Sequence, residues 1–491
     1  VSAADEVLIA THKPGEFSGE VSLLAGRPGL VTVRAVQASE IIELTRDALL
    51  ALVQTDSELG EIFMRAFILR RVELIARGFG DVILLGSNHC SSTLRVKDFL
   101  TRNGHPYTFV DLDHEADMQL LFDRFHVSED DVPVVICRGD VVLRNPTNEK
   151  IADCLGFNEA IDGTRIRDVI IVGAGPAGLA AAVYAASEGL DVLVIESNAP
   201  GGQAASSSRI ENYLGFPTGI SGAELAARAF TQAEKFGAEL MIAKGATRLA
   251  CDRVRHAIET ESGGRFVARC IIIASGAQYR GLSIENLARF NGAGVYYGAT
   301  PIESQLCRGD EALIVGGGNS AGQAAVYLAQ SARRVVIMVR SDGLSESMSR
   351  YLIRRIEQNP AIELRTNSEV ISVDGSTHLE SVRWRDAKSG AEESTAIRHL
   401  FVMTGAVPST EWLDGCVALD DARFIKTGPD LTREDLEGAK WPLARAPHLL
   451  ETCRPGVFAV GDVRAGNIKR VASAVGEGSI AISFVHQVLH E

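Results

Sequence analysis

The sequence predicts an α/β chain whose main body is two three-layer, Rossmann-like units, preceded by two smaller units. Three observations carry this. Asp168-Val-Ile-Ile-Val-Gly173-Ala-Gly175-Pro176-Ala177-Gly178 places a glycine-rich turn directly after an apolar strand. Ala312-Leu-Ile-Val-Gly316-Gly-Gly318-Asn319-Ser320-Ala321 repeats the arrangement further along, and Gly461-Asp462 follows near the C-terminus. The third observation is an absence, since no Cys-x-x-Cys occurs anywhere in the 491 residues. Such a turn after a strand opens a helix onto a dinucleotide pyrophosphate: the first glycine bends the chain, the second admits the ligand, and the third lets helix and strand pack closely.

Length allows several domains. The chain is 46% hydrophobic and 23% charged, ordinary values for a globular protein. Its net charge of −14, without a long basic run, argues against nucleic acid or an anionic membrane as partner. No apolar run reaches the ~18 residues of a membrane span. The chain does not begin with Met, and no signal peptide is evident. The eight cysteines (Cys90, Cys137, Cys154, Cys251, Cys270, Cys307, Cys416 and Cys453) lack metal-ligand spacing. They suggest reduced thiols in a cytoplasmic protein, and no metal site is expected.

In residues 1–78, the segment from Phe17 to Ala35 mixes turn glycines with alternating apolar residues and reads as short strands around a tight turn. Helices are expected from Arg46 to Val53 and Ser57 to Ala76. This resembles the second half of a cyclic-nucleotide-binding domain, with Gly19-Glu20 matching the pair that opens the family's phosphate cassette. The family's phosphate-binding Arg and the small residue after it are here Gly29 and Leu30. The resemblance therefore implies a degenerate unit used for packing or dimerisation.

Residues 79–160 read as a strand from Asp81 to Gly86, a helix opened by Cys90-Ser-Ser-Thr93 and stopped at Gly104, and a strand from Pro106 to Asp111. This resembles a glutaredoxin or thioredoxin fold. Cys90 matches the nucleophilic cysteine, and Asp131-Val132-Pro133-Val134 matches the cis-proline turn. A helix N-terminus favours thiolate at Cys90. Thr93 stands where the second cysteine would be, so no internal dithiol can form.

The FAD-like unit is expected over 165–288 and 405–491, and the NAD(P)-like unit over 289–404. Glu196, at the end of the strand after the first fingerprint helix, stands where a ribose hydroxyl pair is bound. From here the chain resembles the low-molecular-weight thioredoxin reductase family over about two-thirds of its length. The resemblance implies FAD contacts from Gly202, Gln203, Asn212, Ala274, Gly276, Gly461 and Asp462, and a cover over the flavin ring from Arg470, Val471 and Ala472. Gly316, Gly318, Asn319, Ser320, Ala321 and Arg340 occupy its nicotinamide-nucleotide positions. Arg340 suits a 2′-phosphate, hence NADPH, although Ser341 and Ser345 replace two further basic positions and NADH stays open. A homodimer through the flavin unit is also implied.

The resemblance breaks where the family carries Cys-Ala-Thr-Cys. Here the stretch is Gly298-Ala299-Thr300-Pro301. Glu303 either handles protons beside a flavin or caps a helix, and Cys307 and Cys453 read as core. The expectation is a flavin-dependent NAD(P)H oxidoreductase whose acceptor is not an internal CxxC. The alternatives are a redox or nucleotide sensor read by a partner protein, and disulfide reduction through Cys90.

Overall fold

In the computed structural model, residues 8–491 are described except 20–22, 25, 28, 30, 77–81, 89, 114–127, 129–130, 139–140, 160, 251–254, 346 and 414. The expectations at Glu20, Leu30, Asp81 and Cys251 lie outside the described residues. The α/β architecture is as expected, with mainly parallel sheets flanked by helices.

Helices Arg46–Thr55 and Ser57–Ala76 form near the N-terminus, the first capped by Thr45, whose hydroxyl accepts from Ala48 N at 3.3 Å. The strands expected between Phe17 and Ala35 do not form among the described residues. An alternating pattern supplies only one half of a ladder and becomes a strand only beside a partner strand. It is held instead by contacts with the helices. Arg70 donates to the carbonyls of Phe17 and Gly19 at 2.7 and 3.0 Å, and its guanidinium lies 4.6 Å from the Phe17 ring.

A four-stranded sheet follows, in spatial order Thr108–Asp111, Val82–Gly86, Val134–Cys137 and Val141–Arg144. The first pair is parallel, joined by helix Ser91–Arg102, and the last two pairings are antiparallel. The Val132–Pro133 peptide is cis. This unit is fastened to the edge strand Glu239–Ile242 of the next sheet. The Asn158 amide accepts from Ile242 N at 2.8 Å and donates to Ile242 O at 3.0 Å, which closes one step of the open edge. Arg27, buried, joins three parts of the chain. Its guanidinium stacks 4.9 Å from Phe157 and 5.2 Å from Phe230, and pairs with buried Glu234 at 3.5 Å.

The largest sheet is built on the parallel strands Glu239–Ile242, Val192–Glu196, Ile166–Val172, Arg265–Ile273 and Val457–Ala459. Helices Pro176–Ser187 and Val471–Leu489 pack side by side on one face. Their alanines and Gly478 permit close approach, since a Cβ on Gly478 would lie 2.2 Å from Ala177 O. A five-stranded parallel sheet runs Val295–Tyr296, His399–Val402, Glu311–Val315, Arg334–Met338 and Ile362–Arg365. The antiparallel pair Ala277–Arg280 and Thr404–Pro408 links the two bodies. No helix among the described residues is long and apolar enough to cross a membrane.

One expectation fails outright. Cys416 is disulfide-bonded, so the thiols are not all reduced. A bridge joins cysteines that folding brings together, and spacing along the chain does not reveal it. Cys307 and Cys453 are buried as expected, and burial pushes the Cys307 thiol up to about 12.

Candidate functional site

The first glycine turn is shaped by backbone contact. Gly173 has φ +107°, and a Cβ there would sit 2.3 Å from Ala274 O. A Cβ at Gly178 would sit 1.9 Å from Gly173 O. Only bare backbone fits at either place, and the result is a cradle at the N-terminus of helix Pro176–Ser187. Gly175 is the extended N-cap and Pro176 the first helical residue, so the first N–H groups of the helix, including that of Ala177, point outward as anion donors. Gly201 N donates to Ala174 O at 2.7 Å, which lays the turn Gly202–Ser206 over the cradle. A Cβ on Gly202 would meet Gly175 Cα at 3.0 Å. Gln203 is half-buried within that turn, and Asn212 is exposed in the loop beyond it. Ala274 is buried, and Gly276 has φ +67°.

Glu196 is buried, and its two oxygens accept from Ala174 N at 2.8 Å and Asn198 N at 2.9 Å. It therefore braces the turn from below, a role the spacing alone did not reveal. Across the cradle, Gly461 has φ +73°, and its N–H donates to Glu477 at 2.7 Å. Glu477 also receives Arg464 at 2.5 Å. It was not singled out from the sequence. Burial raises the Asp462 carboxyl above its ordinary range, Lys469 pulls it back, and Glu477 adds to the rise. Arg470 is the N-cap of helix Val471–Leu489, whose first turn holds Val471 and the exposed Ala472. The structure thus brings the glycine turn, Glu196, Ala274 and Gly461 together at the start of helix Pro176–Ser187, where a Cβ on Gly461 would lie 2.9 Å from Ala177 Cβ, and Asp462 follows Gly461. Bare backbone ahead of a helix N-terminus is the chemistry that admits a dinucleotide pyrophosphate.

The second turn repeats the geometry. Gly316 has φ +143°, and a Cβ there would lie 2.3 Å from Met403 O. Gly318 is the extended N-cap of helix Asn319–Leu328, whose first turn holds Ser320 and fully buried Ala321. The Asn319 side chain accepts from Ser349 N at 2.8 Å, and Ser347 Oγ donates to Gly317 O at 2.8 Å. Asn319 is therefore a tie between the turn and the following loop. Arg340 is exposed just past strand Arg334–Met338.

The Gly298–Pro301 stretch lies against the turn Gly202–Ser206. A Cβ on Gly298 would be 3.3 Å from Ser206 Cβ. No thiol is available in this stretch. Glu303 accepts from Thr300 N at 2.8 Å and from the Thr300 hydroxyl, and so caps helix Pro301–Leu306. Burial raises its carboxyl, the Thr300 bonds pull it down, and Asp98 raises it again. Of the two roles open for Glu303, the geometry shows the cap.

Cys90 is the N-cap of helix Ser91–Arg102 and its side chain makes no capping bond. Thr93 is fully buried. A Cβ on Gly292 would lie 2.9 Å from Ser91 Cβ, so this helix start abuts the nicotinamide unit. At the other end, Arg102 donates to Ala199 O at 3.0 Å and Gly202 O at 3.3 Å. Twelve helical residues put roughly 18 Å between the two ends.

Residues 167–478 match the pyridine nucleotide-disulphide oxidoreductase family, and residues 2–56 match the cyclic nucleotide-binding domain. Thioredoxin reductase of Treponema pallidum is 35% identical over 314 residues, 64% of this chain and 94% of that one. NADPH-dependent thioredoxin reductase 3 of Arabidopsis thaliana is 31% identical over 364 residues, 70% of this chain and 64% of that one. Lactococcus lactis thioredoxin reductase, in a structure described as the FR conformation, superposes with a TM-score of 0.59 at 30% identity, covering 66% of this chain and all of that one. The chain belongs to the pyridine nucleotide-disulphide oxidoreductase family and is an FAD-dependent NAD(P)H oxidoreductase.

Proposed function

We propose that this member of the family takes electrons from NADPH into bound FAD and delivers them to an acceptor outside its own chain. The observation that carries this is the pairing of two intact glycine cradles with a thiol-free Gly298–Pro301 stretch lying against the turn Gly202–Ser206, the flavin loop of this reading. Bound FAD supplies the ring that receives hydride from the nicotinamide and passes electrons on. The chain's own part is binding and orientation. Gly173, Gly175 and Gly178 admit the pyrophosphate, Asp462 faces the polyol link, and Gly202 and Gln203 border the ring. Gly316 and Gly318 admit the second dinucleotide, and Arg340 receives its 2′-phosphate. We take the units to be 1–78, 79–160, 165–288 with 405–491, and 289–404. A homodimer through the flavin unit is part of the same reading, supported by the exposed Tyr184 and Ile480 on its outer helices.

A second reading routes electrons through Cys90. It is favoured by the packing of Ser91 on Gly292, and opposed by the helix length that separates Cys90 from the flavin loop. Anaerobic stopped-flow mixing with NADPH and with NADH tests the main reading through the flavin band near ~450 nm. Rapid bleaching by NADPH, unchanged in Cys90→Ser, is expected, together with steady turnover on an added quinone or oxygen. Absence of bleaching with either nucleotide contradicts a working hydride site. Turnover abolished in Cys90→Ser contradicts an external acceptor served directly by the flavin.

A further inference from the structure

Beyond Arg340, the sequence motif leaves the adenosine end of the nicotinamide unit without the basic residues expected at Ser341 and Ser345. The tertiary structure brings a cation from 48 residues downstream of Arg340, Lys388, against Asp342, two residues beyond Arg340. Strands Ser381–Asp386 and Glu392–Thr395 form a hairpin whose tip carries Lys388. Asp386 Oδ1 accepts from Lys388 N at 2.9 Å, Ser389 N at 2.7 Å and Ser389 Oγ at 2.9 Å, so the tip is preorganised. Ala387 N donates to Asn367 O at 2.7 Å, and Asn367 N donates to Ser341 O at 3.0 Å. Two backbone bonds therefore tie the tip to the residue that follows Arg340. At the end of this chain the Lys388 ammonium sits 2.8 Å from Asp342.

Resting on the NADPH reading above, we propose that Lys388 is the second cation of the adenosine 2′-phosphate site, working beside Arg340. An ammonium has three donors, and the Asp342 pair uses one. Both side chains are largely exposed, Lys388 at 69% and Asp342 at 81%, so the remaining donors are open to a ligand from solvent. Without Lys388, Asp342 would present an uncompensated negative charge two residues beyond Arg340, where a phosphate dianion binds. Lys388 thus cancels a repulsion and adds an attraction. The missing basic positions of the motif are replaced in space, not in sequence.

Isothermal titration of the full-length, flavin-loaded protein with adenosine 2′,5′-bisphosphate and with 5′-AMP tests this without turnover. Lys388→Ala is expected to weaken the bisphosphate about five-fold and leave 5′-AMP unchanged, the scale of an exposed ion pair. Asp342→Asn provides the control background. If Lys388→Ala still weakens the bisphosphate there, Lys388 itself touches the phosphate. If its effect vanishes in that background, Lys388 serves only to neutralise Asp342, and the proposal is overturned while Arg340 keeps its role. Equal affinity of the parent protein for both nucleotides overturns the NADPH reading and the proposal with it.

Discussion

Restoring a dithiol at the family's usual position is the sharpest test of why this chain needs a different acceptor. The perturbation is Gly298→Cys combined with Pro301→Cys. At 298 a new Cβ meets Ser206 Cβ at 3.3 Å and Ser206 Oγ at 3.5 Å, so the neighbour must yield by a few tenths of an ångström. That costs about 1 kcal/mol, at the low end of overpacking. Pro301 is exposed and opens helix Pro301–Leu306, so replacing it costs about 0.5 kcal/mol through the freer unfolded chain. Together, about 1.5 kcal/mol lowers Tm by only a few degrees in a chain of this size. The second thiol sits on the first turn of a helix, where the dipole favours thiolate. The assay is anaerobic NADPH-driven reduction of an aromatic disulfide, read as released thiolate, with each single substitution as control. The parent chain is expected near background and the double variant at least ~10-fold above it, a change of about 1.4 kcal/mol in the barrier. A parent already as fast as the double variant would show that the missing pair limits nothing. A double variant with a demonstrably formed disulfide and no gain would show that Gly298–Pro301 does not communicate with the flavin.

Two further outcomes follow from the same geometry. Gly178→Ala places a methyl 1.9 Å from Gly173 O, which forces helix Pro176–Ser187 away from its strand at a cost of about 1–3 kcal/mol; most of the flavin should be lost on gel filtration, and full retention with unchanged Tm would contradict the cradle. Glu303→Gln keeps an oxygen for Thr300 N while removing a carboxyl that burial has raised. Below the ordinary glutamate value of 4.5 both proteins carry a neutral side chain and should be equally stable. As pH rises past it, unfolded Glu303 releases its proton before the folded group does, so the parent loses stability relative to the variant until the folded group also ionises. Denaturant midpoints at several pH values check this, and parallel curves for the two proteins would refute the burial argument.

How much of this was legible in the sequence depends on how local each cause is. The helix from Pro176 to Ser187 and the strands before both glycine turns follow from residues within one turn or one strand, and they form as read. The N-terminal strands do not form among the described residues, because an alternating pattern becomes a ladder only beside another strand. Glu303 was left between two roles by its sequence and resolved by its bonds from Thr300 N and the Thr300 hydroxyl. Glu196 ends its strand as read, yet its bracing of Ala174 and Asn198 depends on where the turn folds back.

The sequence by itself determined the two dinucleotide cradles, the loss of the Cys-x-x-Cys pair, and the cysteine at a helix start. Each is a matter of residue type at fixed local spacing. Only the tertiary structure decided that the Cys90 helix spans from Gly292 to the turn Gly202–Ser206, that Cys416 is bridged, that Glu477 holds Gly461, and that Lys388 pairs with Asp342. Those partners are separated along the chain and meet only once sheets and hairpins have packed. Local spacing constrains neighbours within a turn or strand, whereas packing chooses which distant surfaces touch.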